Sequence, residues 1–282
     1  MPVFIFLSGY FTSLRANEER HKTWLEKTLL IYFIAQLTHF LLRIILESSY
    51  SPVKGESFNA SILSWKVFVS PELALWYLVC LVYWRIAIWK VFKKINVATL
   101  FIISVVLALF SGLIPIDHDF AFQRAFAFFP FFTLGVVFKK KKLLVHLERI
   151  PYRYAIAALL LGLIVASFLP TYMPKYHYEN WHQPVWRVIQ TGLGLYLCLL
   201  IVRISRIKFI EKLAVYGEHT LWIYIGHIYM ITLGSKTFPI LGIHLNLITA
   251  ILLATSYCVF FIFIANLYKK YYKNRTTTKS TH

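Results

Sequence analysis

The sequence is short of acidic residues and of cysteine, and it lacks the common cofactor-binding motifs. Only 12 Asp and Glu accompany 30 Lys and Arg in 282 residues. The three cysteines, Cys80, Cys198 and Cys258, lie in apolar segments, with neither metal-ligand spacing nor the even number of a disulfide framework. We therefore expect them to be small core residues. The absence of a phosphate-binding loop, a dinucleotide fingerprint and an HExxH motif excludes the enzyme classes that those motifs define, and no metal site is predicted.

Internal repeats and a cleavable signal sequence are also missing. Without a repeat, an inverted-repeat transporter is disfavoured. The N-terminal segment has neither a charged start nor a small-residue cleavage site, so we do not expect it to be a secretory signal.

Apolar stretches of membrane length occupy most of the chain, and hydrophobic residues make up 59% of it. A bilayer-spanning helix needs roughly 20 apolar residues. A half-length stretch at 2–11 is followed by full-length ones at about 28–46, 71–92, 97–115, 121–138, 153–171, 186–204, 219–236 and 243–267. We predict an all-α polytopic membrane bundle of about nine spans, with one transmembrane domain over 1–268 and a basic cytoplasmic tail over 269–282.

The basic residues gather in every second connection between these stretches. Four lie in 13–27, four in 85–96, six in 139–153, four in 203–212 and five after 267. The positive-inside rule places such connections in the cytoplasm. The net charge of +18 therefore predicts topology in a bacterial-type cell membrane, with a cytoplasmic C-terminus. The lipid bilayer is the expected partner, and nucleic acid is not.

The second predicted span carries polar residues along one side. Gln36, His39 and Arg43 follow the i, i+3, i+7 spacing of a single helical face, which we expect to point into the bundle. Ionisable residues inside a membrane are expensive, so each is a candidate functional residue. The alternative is a structural hydrogen-bond network between helices.

A second set of polar residues is predicted at the outer ends of the spans. Glu72 opens the third span with Trp76 one turn below it, and Arg124 lies just inside the outer end of the predicted span 121–138. With Arg43 they form a candidate outward-facing cluster of both charge signs. The alternative is a set of ordinary interfacial residues with an interhelical Glu–Arg pair.

His227 lies near the middle of the predicted span 219–236, with Tyr224 three residues before it. A neutral imidazole there could act as a general base, because histidine exchanges protons readily near neutral pH. It could equally hydrogen-bond to a neighbouring helix.

Four segments, in this order, resemble membrane acyltransferase-3 proteins, and the branch that includes fucose 4-O-acetylase-like proteins in particular. They are MPVFIFLSGYF at 1–11, LWYLVCLVYWR at 75–85, RAFAFFPFFTLG at 124–135, and Tyr216-Gly217 followed by IYIGH at 223–227. Each motif is mostly aromatic and apolar, but four in order at sensible spacing are hard to obtain by chance.

The resemblance implies an O-acyltransferase that moves an acetyl group from acetyl-CoA, or another acyl-CoA, to a hydroxyl of a cell-envelope carbohydrate or glycolipid. For this reaction we predict catalytic roles for His227, Arg124 and His39, and substrate-binding roles for Arg43, Glu72, Trp76 and Tyr224. These roles follow from the predicted positions of the residues in the spans, and the resemblance adds support for His227. The basic runs 139–142 and 203–212 either bind the coenzyme's phosphates or serve topology alone. Ser8 is either a covalent relay or a packing residue.

One departure from the family pattern leaves the activity open. The resemblance implies a further span before residue 1, a tenth, carrying an Arg and a His thought to serve in acyl transfer. We expect either a start codon assigned too far downstream or a truncated inactive acyltransferase. Two other functions stay open, a carrier or export component for a surface polysaccharide and a partner in its assembly.

Overall fold

The computed structural model is helical throughout the part of the chain that it describes. It describes residues 2–12, 18–54, 70–71, 75–91, 95–113, 119–168 and 183–205, with short stretches between 224 and 263. Every element in these ranges is a helix. The predicted all-α class is confirmed.

The helices are numbered here in chain order. They are α1 Pro2–Phe11, α2 Glu18–Lys54, α3 Trp76–Ile86, which continues as a π-helix over Ala87–Val91, α4 Val97–Phe110, a 3-10 turn Asp119–Ala121, α5 Phe122–Lys141, α6 Leu144–Glu148, α7 Tyr152–Ser167 and α8 Gln183–Ile204. Helix α2 extends beyond the predicted span 28–46 at both ends, because polar flanks can stay helical outside an apolar stretch. The predicted spans 219–236 and 243–267 lie largely outside the described residues.

Two of the described helices are long and apolar enough to cross a bilayer, over Glu18–Leu46 and Gln183–Ile204. A shorter helix, α7, also has a surface suited to lipid. Its side chains Leu160, Leu161 and Ile164 are more than half exposed. A contiguous apolar face of this kind is unusual on a soluble monomer, whereas lipid chains cover it without cost.

The chain divides into two compact units. The first comprises Met1–Phe33, Phe68–Pro71 and Trp76–Glu211, and the second comprises Ile34–Val67, Glu72–Leu75 and Lys212–His282. In the first unit, α5 is the central helix and packs against α1, α3 and α4. Its side chains from Phe129 to Val136 are all buried, so they form the middle of this unit's core.

The two predicted core cysteines that the structure describes are buried in the first unit. Cys80 and Cys198 are free thiols with almost no exposed surface, as expected of small core residues. Cys258 lies outside the described residues.

In the second unit, the face of α2 that carries the polar residues is turned inward. Ala35, Gln36 and His39 are buried, whereas Leu37 and Leu41 are exposed. The helical spacing predicted this orientation correctly, because residues three and four apart share a face.

Candidate active site

In the first unit, Arg124 lies over the ring of Trp76. The guanidinium carbon is 5.3 Å from the ring centroid, within the range of a cation–π interaction. Phe128 stacks against the same ring, with the centroids 5.2 Å apart and the planes at 27°. Arg124 and Phe128 are four residues apart on α5, so both reach one partner on α3. The Trp76 ring thus holds the cation in a defined place.

The backbone that leads into α5 is strained. Phe120 and Ala121 adopt left-handed conformations, with φ of 58° and 55°, which are unfavourable for residues with a side chain. Such strain persists only where the surroundings impose it, and it clusters at functional sites.

Two side chains of α3 hold this strained start of α5. The Cys80 thiol donates to the carbonyl oxygen of Ala121 at 3.7 Å, and Trp84 Nε1 donates to that of Ala125 at 2.8 Å. The two donors are four residues apart, and so are the two acceptors, so one face of α3 is hydrogen-bonded to one face of α5. These two bonds fix the position of Arg124, which lies between the two acceptors in the sequence.

Ser8 connects α1 to α3. Its hydroxyl donates to the Phe4 carbonyl at 3.0 Å and shares a hydrogen bond with the Tyr77 hydroxyl. Tyr77 is fully buried, and its ring also contacts Phe4. These contacts give Ser8 a structural role between helices, which was one of its two predicted roles.

A second group of cations and aromatic rings lies where α3 passes into the π-helix. The guanidinium carbon of Arg85 is 3.6 Å from the centroid of Trp24. The buried His21 ring stacks on Trp89, with centroids 5.1 Å apart and an angle of 18°. Lys90 Nζ is 5.0 Å from the same Trp89 ring. We call these five residues the Trp24–Arg85 cluster.

Two features suggest that the Trp24–Arg85 cluster does more than pack. Nε of Arg85 is buried and makes no hydrogen bond within the described part of the chain. The π-helix Ala87–Val91, which carries Trp89 and Lys90, is a rare element found frequently at functional sites. Flat aromatic rings beside cations can bind a ligand that joins a heteroaromatic ring to phosphate groups.

The basic runs 139–142 and 203–212 each contribute a structural contact. Lys139 Nζ donates to the Thr12 carbonyl at 3.1 Å, just after the end of α1. Arg203 Nε donates to the Ile150 carbonyl at 2.8 Å, and its guanidinium carbon is 3.8 Å from the Tyr152 ring centroid. Both side chains therefore stabilise turns between helices.

In the second unit, His39 is buried beside Tyr229. The imidazole is 1% exposed, and its centroid is 6.0 Å from that of the Tyr229 ring. The Tyr229 hydroxyl donates to the Ala35 carbonyl at 3.2 Å and shares a hydrogen bond with Thr38. Tyr229 therefore attaches a late segment of the chain to α2 next to His39. That segment also carries His227, two residues earlier in the sequence.

The comparison with known families supports one identification. A family model described as an acyltransferase domain, acyltransferase-3, matches residues 1–267. The chain belongs to the acyltransferase-3 family. No curated protein and no solved structure matches it significantly. The predicted family is confirmed, and the fucose 4-O-acetylase-like branch stays a prediction.

Membership of the acyltransferase-3 family makes the protein an integral-membrane acyltransferase in general terms. Of its predicted site residues, the structure brings Arg124 and Trp76 together in the first unit. Buried His39 and Tyr224 and half-buried Arg43 belong to the second unit. Glu72 and His227 lie outside the described residues. The roles of all seven stay predictions.

No group of three or more His, Cys, Asp or Glu residues that could hold a metal ion occurs in the ranges the structure describes.

A buried cation of this acyltransferase-3 protein was not predicted from the sequence. Arg187, in the first turns of α8, is 8% exposed, and its Nη1 donates to Ser111 Oγ at 3.1 Å. In the sequence it opens an apolar stretch, where an exposed interfacial arginine is usual. No local signal distinguishes the two cases, because its burial depends on the helices packed around it.

Proposed function

We propose that the protein transfers an acetyl group from acetyl-CoA to a hydroxyl of a cell-envelope carbohydrate or glycolipid at a bacterial-type cell membrane. Family membership supplies the acyl-transfer chemistry in general. The observation that carries the finer proposal is the Arg124 guanidinium held over Trp76. A planar cation fixed on an aromatic ring is suited both to oxygen-rich substrates and to a developing oxyanion.

The proposed reaction needs a base and an oxyanion stabiliser. His227 or His39 takes the proton of the acceptor hydroxyl, and the oxygen attacks the thioester carbonyl carbon. Arg124 stabilises the negative charge on the carbonyl oxygen. The carbon–sulfur bond then breaks, and the coenzyme A sulfur leaves as a thiolate that receives the proton. The products are the carbohydrate ester and free coenzyme A.

We assign acceptor binding to the remaining predicted residues. Trp76 supplies an aromatic surface with Arg124, while Arg43, Glu72 and Tyr224 supply hydrogen-bonding groups. Sugar hydroxyls are recognised by such side chains because each hydroxyl both donates and accepts.

We assign donor binding to the Trp24–Arg85 cluster. Arg85 and Lys90 belong to the basic connection 85–96, which the positive-inside rule places in the cytoplasm, where acyl-CoA is found. Their charges suit the phosphates of the coenzyme, and the Trp24 and Trp89 rings suit its adenine. This assignment replaces the runs 139–142 and 203–212 as the first candidates, because Lys139 and Arg203 are engaged with backbone carbonyls.

The proposal is tested by mass spectrometry of surface polysaccharide from cells with and without the gene, and from deletion cells carrying the Arg124→Ala or His227→Ala variant. We expect O-acetyl groups to disappear on deletion and to return only with the wild-type gene. Acetylation that is unchanged in the deletion strain would remove the enzymatic proposal. A fall in the amount of surface polysaccharide, with its acetyl content per sugar preserved, would favour the carrier or export alternative.

A further inference from the structure

Three polar side chains meet in the buried part of the first unit where α4 ends and where α5 and α8 begin. Arg187 Nη1 donates to Ser111 Oγ at 3.1 Å, and Gln123 Nε2 donates to the Ser111 carbonyl at 3.3 Å. Ser111 Oγ in turn donates to the Ala108 carbonyl at 2.7 Å. We call Ser111, Gln123 and Arg187 the Ser111 subsite. None of them belongs to the acceptor-binding set proposed above.

The subsite contains a hydrogen-bond acceptor that no described residue uses. Gln123 is 4% exposed, and its Oε1 is buried with no hydrogen-bond partner among the described residues. The orientation of the amide follows from its contact, since only Nε2 can donate to the Ser111 carbonyl. Buried polar atoms of native proteins are nearly always paired. One that no described residue pairs with therefore indicates a position where a ligand can bind.

The chemistry of the two groups restricts what that ligand can be. Gln123 Oε1 requires a hydrogen-bond donor. An ammonium group could donate, but it would bring a second positive charge close to the Arg187 guanidinium, and a carboxylate or phosphate would place its own oxygen lone pairs against Oε1. A hydroxyl carries no charge and donates a hydrogen bond, so it suits both neighbours.

We propose that the Ser111 subsite binds a hydroxyl of the acceptor carbohydrate and thereby helps to select the acceptor. The inference rests on the proposed function, since it assumes a hydroxylated acceptor. Gln123 directly precedes Arg124 in the first turn of α5, so the subsite and the Trp76-bound cation lie at the same end of one helix. A hydroxyl held here would be a neighbour of the one that is acylated and would fix the orientation of the sugar. The subsite acts in specificity and takes no part in bond making.

The decisive variant is Gln123→Met, which keeps the length of the side chain and removes Oε1. Membrane vesicles with wild-type or variant protein are given radiolabelled acetyl-CoA and envelope glycan from the same cells, freed of its esters by mild alkali. We expect the KM for the glycan to rise about tenfold or more, because a site built to bind a hydroxyl is sensitive to loss of either partner. The KM for acetyl-CoA should stay unchanged.

Thr133→Val is the matched control, because Thr133 is also a fully buried polar residue of α5. Its Oγ1 is hydrogen-bonded to Ser104 Oγ at 2.7 Å and to the Phe129 carbonyl at 3.2 Å, so this hydroxyl already has partners within the protein. Loss of the hydroxyl should lower the thermal unfolding midpoint of the purified protein in detergent and leave both KM values unchanged. Ser111→Ala, which keeps the backbone carbonyl that Gln123 uses, provides a second variant should Gln123→Met fold poorly. It too should raise the KM for the glycan, since the hydrogen bond between Arg187 and Ser111 Oγ that shapes the subsite is lost.

Each outcome separates the subsite from the proposed function. A selective rise in the glycan KM supports the subsite. Wild-type vesicles that transfer acetyl while Gln123→Met and Ser111→Ala keep the wild-type glycan KM would overturn it, and a buried water alone would then occupy the position. Wild-type vesicles that transfer no label at all would remove the proposed function, and the subsite with it.

Discussion

Gly9 of α1 lies directly against the carbonyl group of Phe132 in α5. A Cβ atom at residue 9 would be 1.9 Å from that oxygen, and one at Gly135 would be 2.1 Å from the Phe6 carbonyl oxygen. The two helices are therefore in backbone contact at both glycines. Small residues allow this approach in membrane proteins, where van der Waals packing and not the hydrophobic effect joins helices. The contact fixes the helix that carries Ser8 against the helix that carries Arg124.

The first prediction concerns this contact. Gly9→Ala should lower stability by about 3 kcal/mol or more, since overpacking usually costs up to that much and here the clash is with backbone. Gly192→Ala is the control, because a Cβ atom there would meet nothing within 4 Å. It should stabilise α8 by about 0.5–1 kcal/mol, the ordinary gain of alanine over glycine in a helix. Thermal unfolding midpoints of the purified proteins in detergent measure both, and equal midpoints would contradict the helix contact.

The second prediction concerns the cation over Trp76. Arg124→Lys keeps the charge but loses the planar group that stacks on the ring, so acetyl transfer to glycan should fall about tenfold or more. Arg153→Lys is matched to it, because Arg153 also stacks on an aromatic ring, that of Tyr154, with 4.8 Å to the centroid. That pair is exposed, and the control should retain full activity. A fully active Arg124→Lys variant would show that stacking on Trp76 has no part in the reaction.

The third prediction concerns the donor. Arg85→Lys should raise the KM for acetyl-CoA by about tenfold, since lysine can neither stack flat on Trp24 nor bind a phosphate in bidentate fashion. The KM for the glycan should not change. Arg203→Lys removes a comparable stacked arginine from Tyr152 and a bond to the Ile150 carbonyl. It should reduce stability and leave the donor KM unaltered, whereas an unaltered donor KM in Arg85→Lys would contradict the donor assignment.

Local patterns in the sequence were sufficient for the helical framework and for one polar face. The spacing of Gln36 and His39 predicted that they share a buried face of α2, because helical periodicity is a property of a short segment. The pairing of Arg124 with Trp76 was anticipated less directly, because both residues were predicted near the outer ends of their spans. The predicted topology shows that the two residues lie at the same side of the membrane. It does not show that the Arg124 guanidinium lies over the Trp76 ring.

Tertiary contacts and backbone distortions were not predictable in the same way. Arg187 is buried because the ends of three helices meet around it. The sequence next to it does not differ from that of other span ends, where an arginine is exposed. The left-handed Phe120 and Ala121 replace the glycine or asparagine that usually marks such a conformation. The amino-acid composition of the π-helix Ala87–Val91 does not distinguish it from an α-helix. In each case the conformation depends on residues of another segment that packs against it. The α3 side chains that hydrogen-bond to Ala121 and Ala125 are an example.

The last prediction tests whether His39 acts in catalysis or only in packing. His39→Asn keeps a polar side chain able to hydrogen-bond but cannot exchange a proton near neutral pH, so a catalytic role predicts a fall in the rate of transfer of about a hundredfold or more. Thr38→Val is the control, because Thr38 shares a hydrogen bond with the same Tyr229 that lies beside His39. Losing that bond should cost about 1 kcal/mol of stability and little activity. Initial rates in vesicles, compared at equal amounts of folded protein, distinguish the two roles. If His39→Asn transfers acetyl at the wild-type rate while Thr38→Val and His39→Asn are both less stable, His39 belongs to the network that attaches Tyr229 to α2, and the search for the base narrows to His227.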